Sequence, residues 1–147
     1  MSKRVFIISS SPRKGGNSDL LCDQFMKGAL EAGHHVEKAR VSEKHIGYCT
    51  GCGVCISTHR CVQRDDMDAI LDAMVSADVI VLPTPVYFYS MCAQLKIMID
   101  RLCPRYTEIK NKAFQFIVSA ADSSHDAMER TLEGLRWSDR GLPRRCS

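Results

Sequence analysis

The 147 residues suffice for one domain with a sizeable core and are too few for two, and their 45% hydrophobic content is that of an ordinary globular protein. The formal charge of +3, from 20 Lys and Arg against 17 Asp and Glu, is too balanced to argue for nucleic acid, though an anionic small ligand would suit it. No stretch reaches the roughly 18 apolar residues of a membrane span, and the apolar run before Ser9 is shorter than a secretion signal, so a cytoplasmic protein with no membrane partner is expected.

In chain order, Val5, Phe6, Ile7 and Ile8 form a short apolar run that reads as a buried strand and stops at Ser9-Ser10-Ser11-Pro12. Asn17 or Ser18 can cap the next helix, in which Leu20, Leu21, Phe25, Ala29 and Leu30 recur at helical spacing until Gly33 ends it. Residues 36–41 make a second strand. Residues 42–64 show no period and hold four of the eight cysteines, a long loop of the kind that usually carries function.

Asp65 and Asp66 cap a helix carrying Met67, Ile70, Leu71 and Met74, and residues 79–82 form a third strand, broken at Pro83-Thr84-Pro85. Leu95, Ile97, Met98, Ile99 and Leu102 belong to the next helix, residues 114–118 to a fourth strand, and Ser123 or Ser124 opens a helix through Met128, Leu132 and Leu135. Ser124-His125-Asp126 is a capped helix start; triad members meet in space, not in sequence. This β-α alternation predicts an α/β fold, a doubly wound parallel sheet covered on both faces by helices.

Two segments at strand ends point to one ligand. Residues 9–18 lie between a strand and a helix, where free backbone N–H groups and the helix dipole favour an anion. The loop lacks the Gly-Lys-Ser/Thr ending of a nucleotide triphosphate loop and the Gly-x-Gly-x-x-Gly fingerprint, and no cysteine begins a Cys-x5-Arg phosphatase loop. Ser9, Ser11, Arg13, Gly16, Asn17 and Ser18 suit a terminal phosphomonoester instead, unless the segment is an ordinary capped turn. In doubly wound sheets ligands collect where the strand order reverses, which makes the end of the third strand the second wall. There Pro83, Thr84, Pro85, Val86, Tyr87 and Phe88 combine a stiffened backbone with aromatic rings that could face a flat heteroaromatic group, or pack on neighbouring helices.

Cysteines in a chain without a secretion signal read as thiols, ligands or redox groups rather than as a disulfide framework. Cys49, Cys52, Cys55 and Cys61, spaced x2, x2 and x5 with Gly51 and Gly53 between them, suit a [4Fe–4S] cluster. Tetrahedral zinc and plain reduced thiols are the alternatives. Cys22, Cys92, Cys103 and Cys146 match no motif and read as core or incidental residues.

Together, Ser11-Pro12-Arg13 with Gly16-Asn17-Ser18, Pro85-Val86-Tyr87-Phe88, Leu95-Lys96 with Asp100-Arg101, and the spaced cysteines before Asp65-Asp66-Met67 resemble the flavodoxin-like NADPH-dependent FMN reductases, and among them the iron-sulfur flavoproteins. The resemblance covers about residues 3 to 136. It implies a flavodoxin-like three-layer sandwich, FMN phosphate on Ser11, Arg13, Asn17 and Ser18, and the isoalloxazine ring on Pro85, Val86, Tyr87 and Phe88. It further implies cluster ligation by Cys49, Cys52, Cys55 and Cys61 with electrons passing between cluster and flavin, and a homodimer or homotetramer with the flavin near a subunit interface.

The expected activity is that of an FMN-binding oxidoreductase or electron-transfer flavoprotein, taking electrons from NAD(P)H or another donor and passing them to a small-molecule or protein acceptor. A zinc-binding structural module and an inactive, truncated paralogue are the rival readings. The second arises because residues 1–136 account for the domain, with residues 42–64 as an inserted loop, and residues 137–147 are too few for the fifth strand and last helix of a flavodoxin-like fold. Residues 120–122 also depart from the relatives, with Ala120-Ala121 where those tend to have glycines.

Overall fold

The computed structural model describes residues 1–109, 111–122 and 124–136; the readings that concern Ser123, Cys146 and the 137–147 tail fall outside these. The elements follow as β1 (Arg4–Ser9), α1 (Asn17–Glu31), β2 (His35–Arg40), α2 (Val54–Thr58), α3 (Met67–Ser76), β3 (Val79–Tyr87), β4 (Ser90–Met91), α4 (Ala93–Asp100), α5 (Tyr106–Ile109), β5 (Ala113–Ser119) and α6 (His125–Leu135). The parallel strands run in the order β2-β1-β3-β5, and the two-residue β4 pairs antiparallel with the end of β3. Because β2 and β3 flank β1 on opposite sides, successive crossovers leave β1 in opposite directions and open a crevice at its carboxyl end.

Strand alternation divides the core. Val5, Ile7 and Val81 turn to one face, with Cys22 of α1. Phe6, Ile8, Ile80 and Leu82 turn to the other, against Met67, Ile70, Leu71 and Met74 of α3 and Leu95 and Met98 of α4. The methionine and leucine spacing that marks α3 thus buries as read. In α1 the apolar spacing holds in part: Phe25 packs against the core and Ala29 is half-buried, but Leu20, Leu21 and Leu30 are exposed, and the fully buried residues are Ser18, Asp19 and Cys22. The helix is rotated to put its first turn, with Phe25 and Met26, against the sheet and to leave its leucines outside.

Three boundaries differ from those read in the sequence. Neither Asn17 nor Ser18 caps α1; the N-cap is Gly16, and no side chain accepts a hydrogen bond there. Residues 42–64 are not wholly irregular, since α2 forms one short helix within them. And β3 does not break at Pro83 but continues to Tyr87, paired with β5 as far as Pro85 opposite Ser119. Residues two apart face the same neighbour, and β1 pairs with β3 only through Val81. Pro83 turns its carbonyl to Ser10 Oγ, which donates to it at 2.5 Å. The missing N–H groups of Pro83 and Pro85 therefore lie on the side where β1 has already ended, and the ladder to β5 loses nothing. Among the described residues, no helix is long and apolar enough to cross a membrane.

Candidate functional site

The phosphate loop leaves β1 at Ser9 and turns into α1 at Gly16. It is braced from behind by a carboxylate that the sequence reading missed. Asp19, buried in the first turn of α1, accepts hydrogen bonds from Ser9 Oγ at 2.7 Å and from the Gly15 N–H at 3.0 Å, and pairs with Lys38 at 2.8 Å and with Arg40. Burial alone would raise its pKa, but the bonds from Lys38, Gly15 and Ser9 outweigh that and hold the carboxyl well below its usual range. Lys38 and Arg40 alternate on β2 and so reach one side of the sheet, a pattern that could have signalled an acid partner.

Ser9 thus has its hydroxyl turned to Asp19, away from the loop mouth. Ser11 Oγ bonds the Arg13 carbonyl at 2.9 Å, and a Cβ on Gly16 would stand 2.9 Å from that hydroxyl, so the loop is closed too tightly for a side chain there. Arg13 and Asn17 are exposed. Ser18 Oγ is buried and has no hydrogen-bond partner among the described residues. An uncapped 15-residue helix, an unpartnered buried hydroxyl and an exposed Arg13 are what a phosphomonoester needs: amide donors, a hydroxyl donor and a counter-charge.

The second wall is the β3–β4 hairpin. Pro83, Thr84 and Pro85 are buried and form its frame; Thr84 Oγ1 donates to the Pro85 carbonyl at 2.9 Å and accepts the Cys92 N–H at 3.0 Å. The Cys92 thiol lies 3.3 Å from the Ser10 carbonyl, so Ser10, Pro83, Thr84 and Cys92 tie the two walls together across the crevice. Val86 is half-buried and Tyr87 exposed. Phe88 is fully exposed at 100%, and both it and Tyr89 hold positive φ, +52° and +62°. Positive φ at both central residues is the geometry of a type I′ hairpin turn, which ordinarily selects Asn and Gly. Two aromatic residues held there, one wholly in solvent, spend conformational energy to present rings at the carboxyl end of β3.

In the cysteine loop, Cys49 and Cys52 are exposed and Cys55 and Cys61 half-buried. Gly51 and Gly53 have φ of +68° and +72°, supplying the left-handed turns that wrap the segment, and Gly53 starts α2. Burial, and then the nearby Cys61, Cys49 and Cys52, push the Cys55 thiol up, so the four sulfurs share one neighbourhood. Among the described residues, the single trio of His, Cys, Asp or Glu with donor atoms within 4.8 Å of one another is His125, Asp126 and Glu129, exposed on α6. No three of the cysteine sulfurs therefore lie within 4.8 Å of one another, wider than the about 3.8 Å that 2.3 Å bonds to a tetrahedral zinc impose. Cys22 is set apart from such chemistry: burial pushes its thiol up to about 12.

A second carboxylate anchors this loop. Asp65 takes two bonds from Arg101, at 2.8 and 3.1 Å, one from the Gly47 N–H at 2.9 Å and one from the Met67 N–H at 3.0 Å. Asp66 is the N-cap residue of α3 without a side-chain cap bond there; its carboxylate bonds the His45 N–H at 2.6 Å instead.

The parallel 2-1-3-5 order, the loop after β1 and the ring-bearing turn after β3 define a flavodoxin-like mononucleotide-binding protein, with a cysteine-rich loop added after β2. The profile of the NADPH-dependent FMN reductases matches residues 3–139, and the chain belongs to that family, in its iron-sulfur flavoprotein branch. It is 44% identical over 97 residues to an iron-sulfur flavoprotein of Archaeoglobus fulgidus, covering 66% of this chain and 44% of that protein. To an iron-sulfur flavoprotein of Methanocaldococcus jannaschii it is 35% identical over 134 residues, 90% of this chain and 69% of that one. Among solved structures a flavone reductase superposes with a TM-score of 0.69 at 24% identity, over 87% of this chain and 46% of that one, a likeness of fold. The chain thus spans about half or two thirds of the proteins it matches.

Proposed function

We propose that this chain is an FMN-dependent oxidoreductase or electron-transfer flavoprotein that takes electrons from a nicotinamide donor and relays them through a [4Fe–4S] cluster. The observation that carries the reading is the phosphate loop, preformed round an uncapped helix start with the buried Ser18 hydroxyl unpartnered. When bound, FMN supplies hydride acceptance and release of electrons singly or in pairs, so that no acid–base triad is asked of the protein.

The residues then divide the work. Ser18 and the amides from Gly16 onward donate to the phosphate, and Ser11 joins them by turning its hydroxyl from the Arg13 carbonyl. Arg13 and Asn17 close over the phosphate from solvent, and Ser9 holds the loop's shape through Asp19. Pro83, Thr84 and Pro85 fix the angle of the hairpin, while Val86, Tyr87 and Phe88 offer an apolar and aromatic surface to the ring. Cys49, Cys52, Cys55 and Cys61 ligate the cluster, and Gly51 and Gly53 let the backbone fold round it. The apolar groups exposed at Tyr87, Phe88 and Tyr89 are surface that assembly into a homodimer or homotetramer would cover. A small-molecule or protein acceptor, reached in the cytoplasm, completes the route.

The test is anaerobic purification followed by an absorption spectrum with flavin, iron and sulfide determination. Expected are FMN in stoichiometric amount, iron and acid-labile sulfide in equal amounts, and bleaching of the flavin band by NADH or NADPH. A colourless protein that takes up no added FMN would overturn the flavin reading; zinc without iron would overturn the cluster.

A further inference from the structure

Arg101 follows directly on α4 and is 2% exposed. Its guanidinium reaches both stems of the cysteine loop. On the outgoing stem Nη1 donates to the Gly47 carbonyl at 2.7 Å; on the returning stem it donates to Gln63 Oε1 at 3.0 Å and, with Nη2, grips the Asp65 carboxylate. The stems are also stitched to each other. Asp65 accepts the Gly47 N–H, Gln63 Nε2 donates to the Tyr48 carbonyl at 2.9 Å, and the Asp66 N–H donates to the His45 carbonyl at 3.0 Å. A Cβ on Gly47 would collide with Gln63 Oε1, so the stems close as tightly as glycine allows. Within this ring of bonds lies everything from Cys49 to Cys61.

A buried guanidinium is costly to desolvate and is kept only where its Nη donors, at least, are met. Here they are met by groups at residues 47, 63 and 65, which no secondary structure would otherwise hold side by side. Its buried Nε has no acceptor among the described residues. The side chains it grips, Gln63 and Asp65, follow Cys61 directly on the returning stem, so the cation sits where that stem leaves the last of the four cysteines; burial works against its charge, and Asp65 and then Cys61 sustain it.

We propose that Arg101, locked by Asp65, is the positioning residue of the cysteine loop: it clamps the two stems so that the four sulfurs form one array, and it sets a fixed positive charge next to Cys61. The second role follows from charge. A cluster on four thiolates becomes more negative on reduction, so a buried cation at its edge stabilises the reduced form and raises its potential. The proposal rests on the cluster reading, and its test separates the two.

The comparison is of wild type, R101K and R101Q, each reconstituted anaerobically with iron and sulfide. R101K keeps the charge but not the planar fork that reaches three partners. It is expected to lose iron to a chelator about 10- to 100-fold faster, the usual consequence of removing an outer partner of a metal site, with its cluster potential near that of wild type. R101Q is expected to lose iron at least as fast and, where it retains enough cluster for a redox titration followed by electron paramagnetic resonance, to show a more negative potential. Amide hydrogen exchange on the metal-free proteins is expected to rise in residues 45–66 alone, with flavin content unchanged. Wild-type exchange and iron retention in R101K would overturn the proposal, as would an increase in exchange spread evenly over the chain. A wild-type protein that takes up no iron and sulfide overturns the cluster reading, and the potential with it; exchange in residues 45–66 still decides the clamp.

Discussion

In the phosphate loop the Gly15 N–H donates to buried Asp19; in the cysteine loop the Gly47 N–H donates to buried Asp65. Each aspartate is charged, each is paired with a cation from another element, and each turns a glycine-containing loop into a fixed shape. The cations differ. Lys38 also reaches Asp23, at 2.6 Å, and Arg40 reaches Glu43, at 3.1 Å, so Asp19 is met by two partners with second partners of their own. Asp65 has Arg101. The first loop is braced redundantly and still has unused donors at its mouth, whereas the second hangs on one guanidinium and leaves two of its cysteines exposed. On the proposed reading, the loop for a small anion is built before its ligand arrives, and the loop for a cluster is given its stems and would be completed by its ligand.

The largest effect that would break this comparison is expected at Asp19. D19N keeps the size of the side chain but removes the charge that meets Lys38 and Arg40, and should lower stability by about 2 kcal/mol in urea unfolding at neutral pH. FMN affinity should fall with it, while exchange in residues 45–66 stays as in wild type. If D19N instead loosened the cysteine loop, the two braces would be one network. The pH dependence has a definite sign. Because the Asp19 carboxyl is held below its ordinary value of 3.8, its contribution is whole above that value and disappears as the pH falls through and below it. The acid limb of stability against pH should therefore be flatter in D19N than in wild type.

That neither brace was visible in the sequence has a physical cause. The strand, loop and helix of residues 5–31, the α3 face and the cysteine spacing depend on neighbours a few residues apart, and periodicity reports those. Arg40 meets Asp19 across 21 residues, Arg101 meets Asp65 across 36 and Gly47 across 54. In the sequence Asp19 looks like any acid in the first turn of a helix, and Arg101 appears in the resemblance to the family without a role. Local rules also misplaced the end of β3, because a proline ends a strand only where its missing N–H faces a partner, and β1 had already stopped. They took Leu20, Leu21 and Leu30 as marks of a buried face, when the turn bearing Ser18 and Asp19 decided which side of α1 meets the sheet.

A smaller, more local effect is expected at Gly16. Its backbone, φ −68° and ψ 164°, is one that alanine adopts, but the added Cβ also comes within 3.3 Å of the Arg13 carbonyl, so G16A should lower the stability of the ligand-free protein by about 1 kcal/mol. The added Cβ meets Ser11 Oγ at 2.9 Å, and the hydroxyl has to move from the position the phosphate would use. Affinity for FMN, followed by quenching of its fluorescence, should drop about tenfold, equivalent to about 1.4 kcal/mol. An unchanged affinity would mean that the closed form of the loop is incidental.

The smallest effect on the ligand-free protein is expected at Ser18, and it is the most discriminating, because its sign reverses with ligand. Ser18 Oγ is buried without a partner, and such a group costs folding free energy of about 1–3 kcal/mol unless something satisfies it. In the ligand-free protein S18A should therefore be neutral or stabilising, by up to about 1 kcal/mol in thermal or urea unfolding. With FMN bound, the same substitution removes a hydrogen bond to a charged phosphate, and affinity should fall by about 1.5 kcal/mol, somewhat more than tenfold. An alanine that destabilised the free and the loaded protein equally would show that Ser18 serves the packing of α1 on the sheet. Opposite signs would identify it as a donor reserved for the ligand, the feature that separates a preformed anion loop from the cysteine loop beside it.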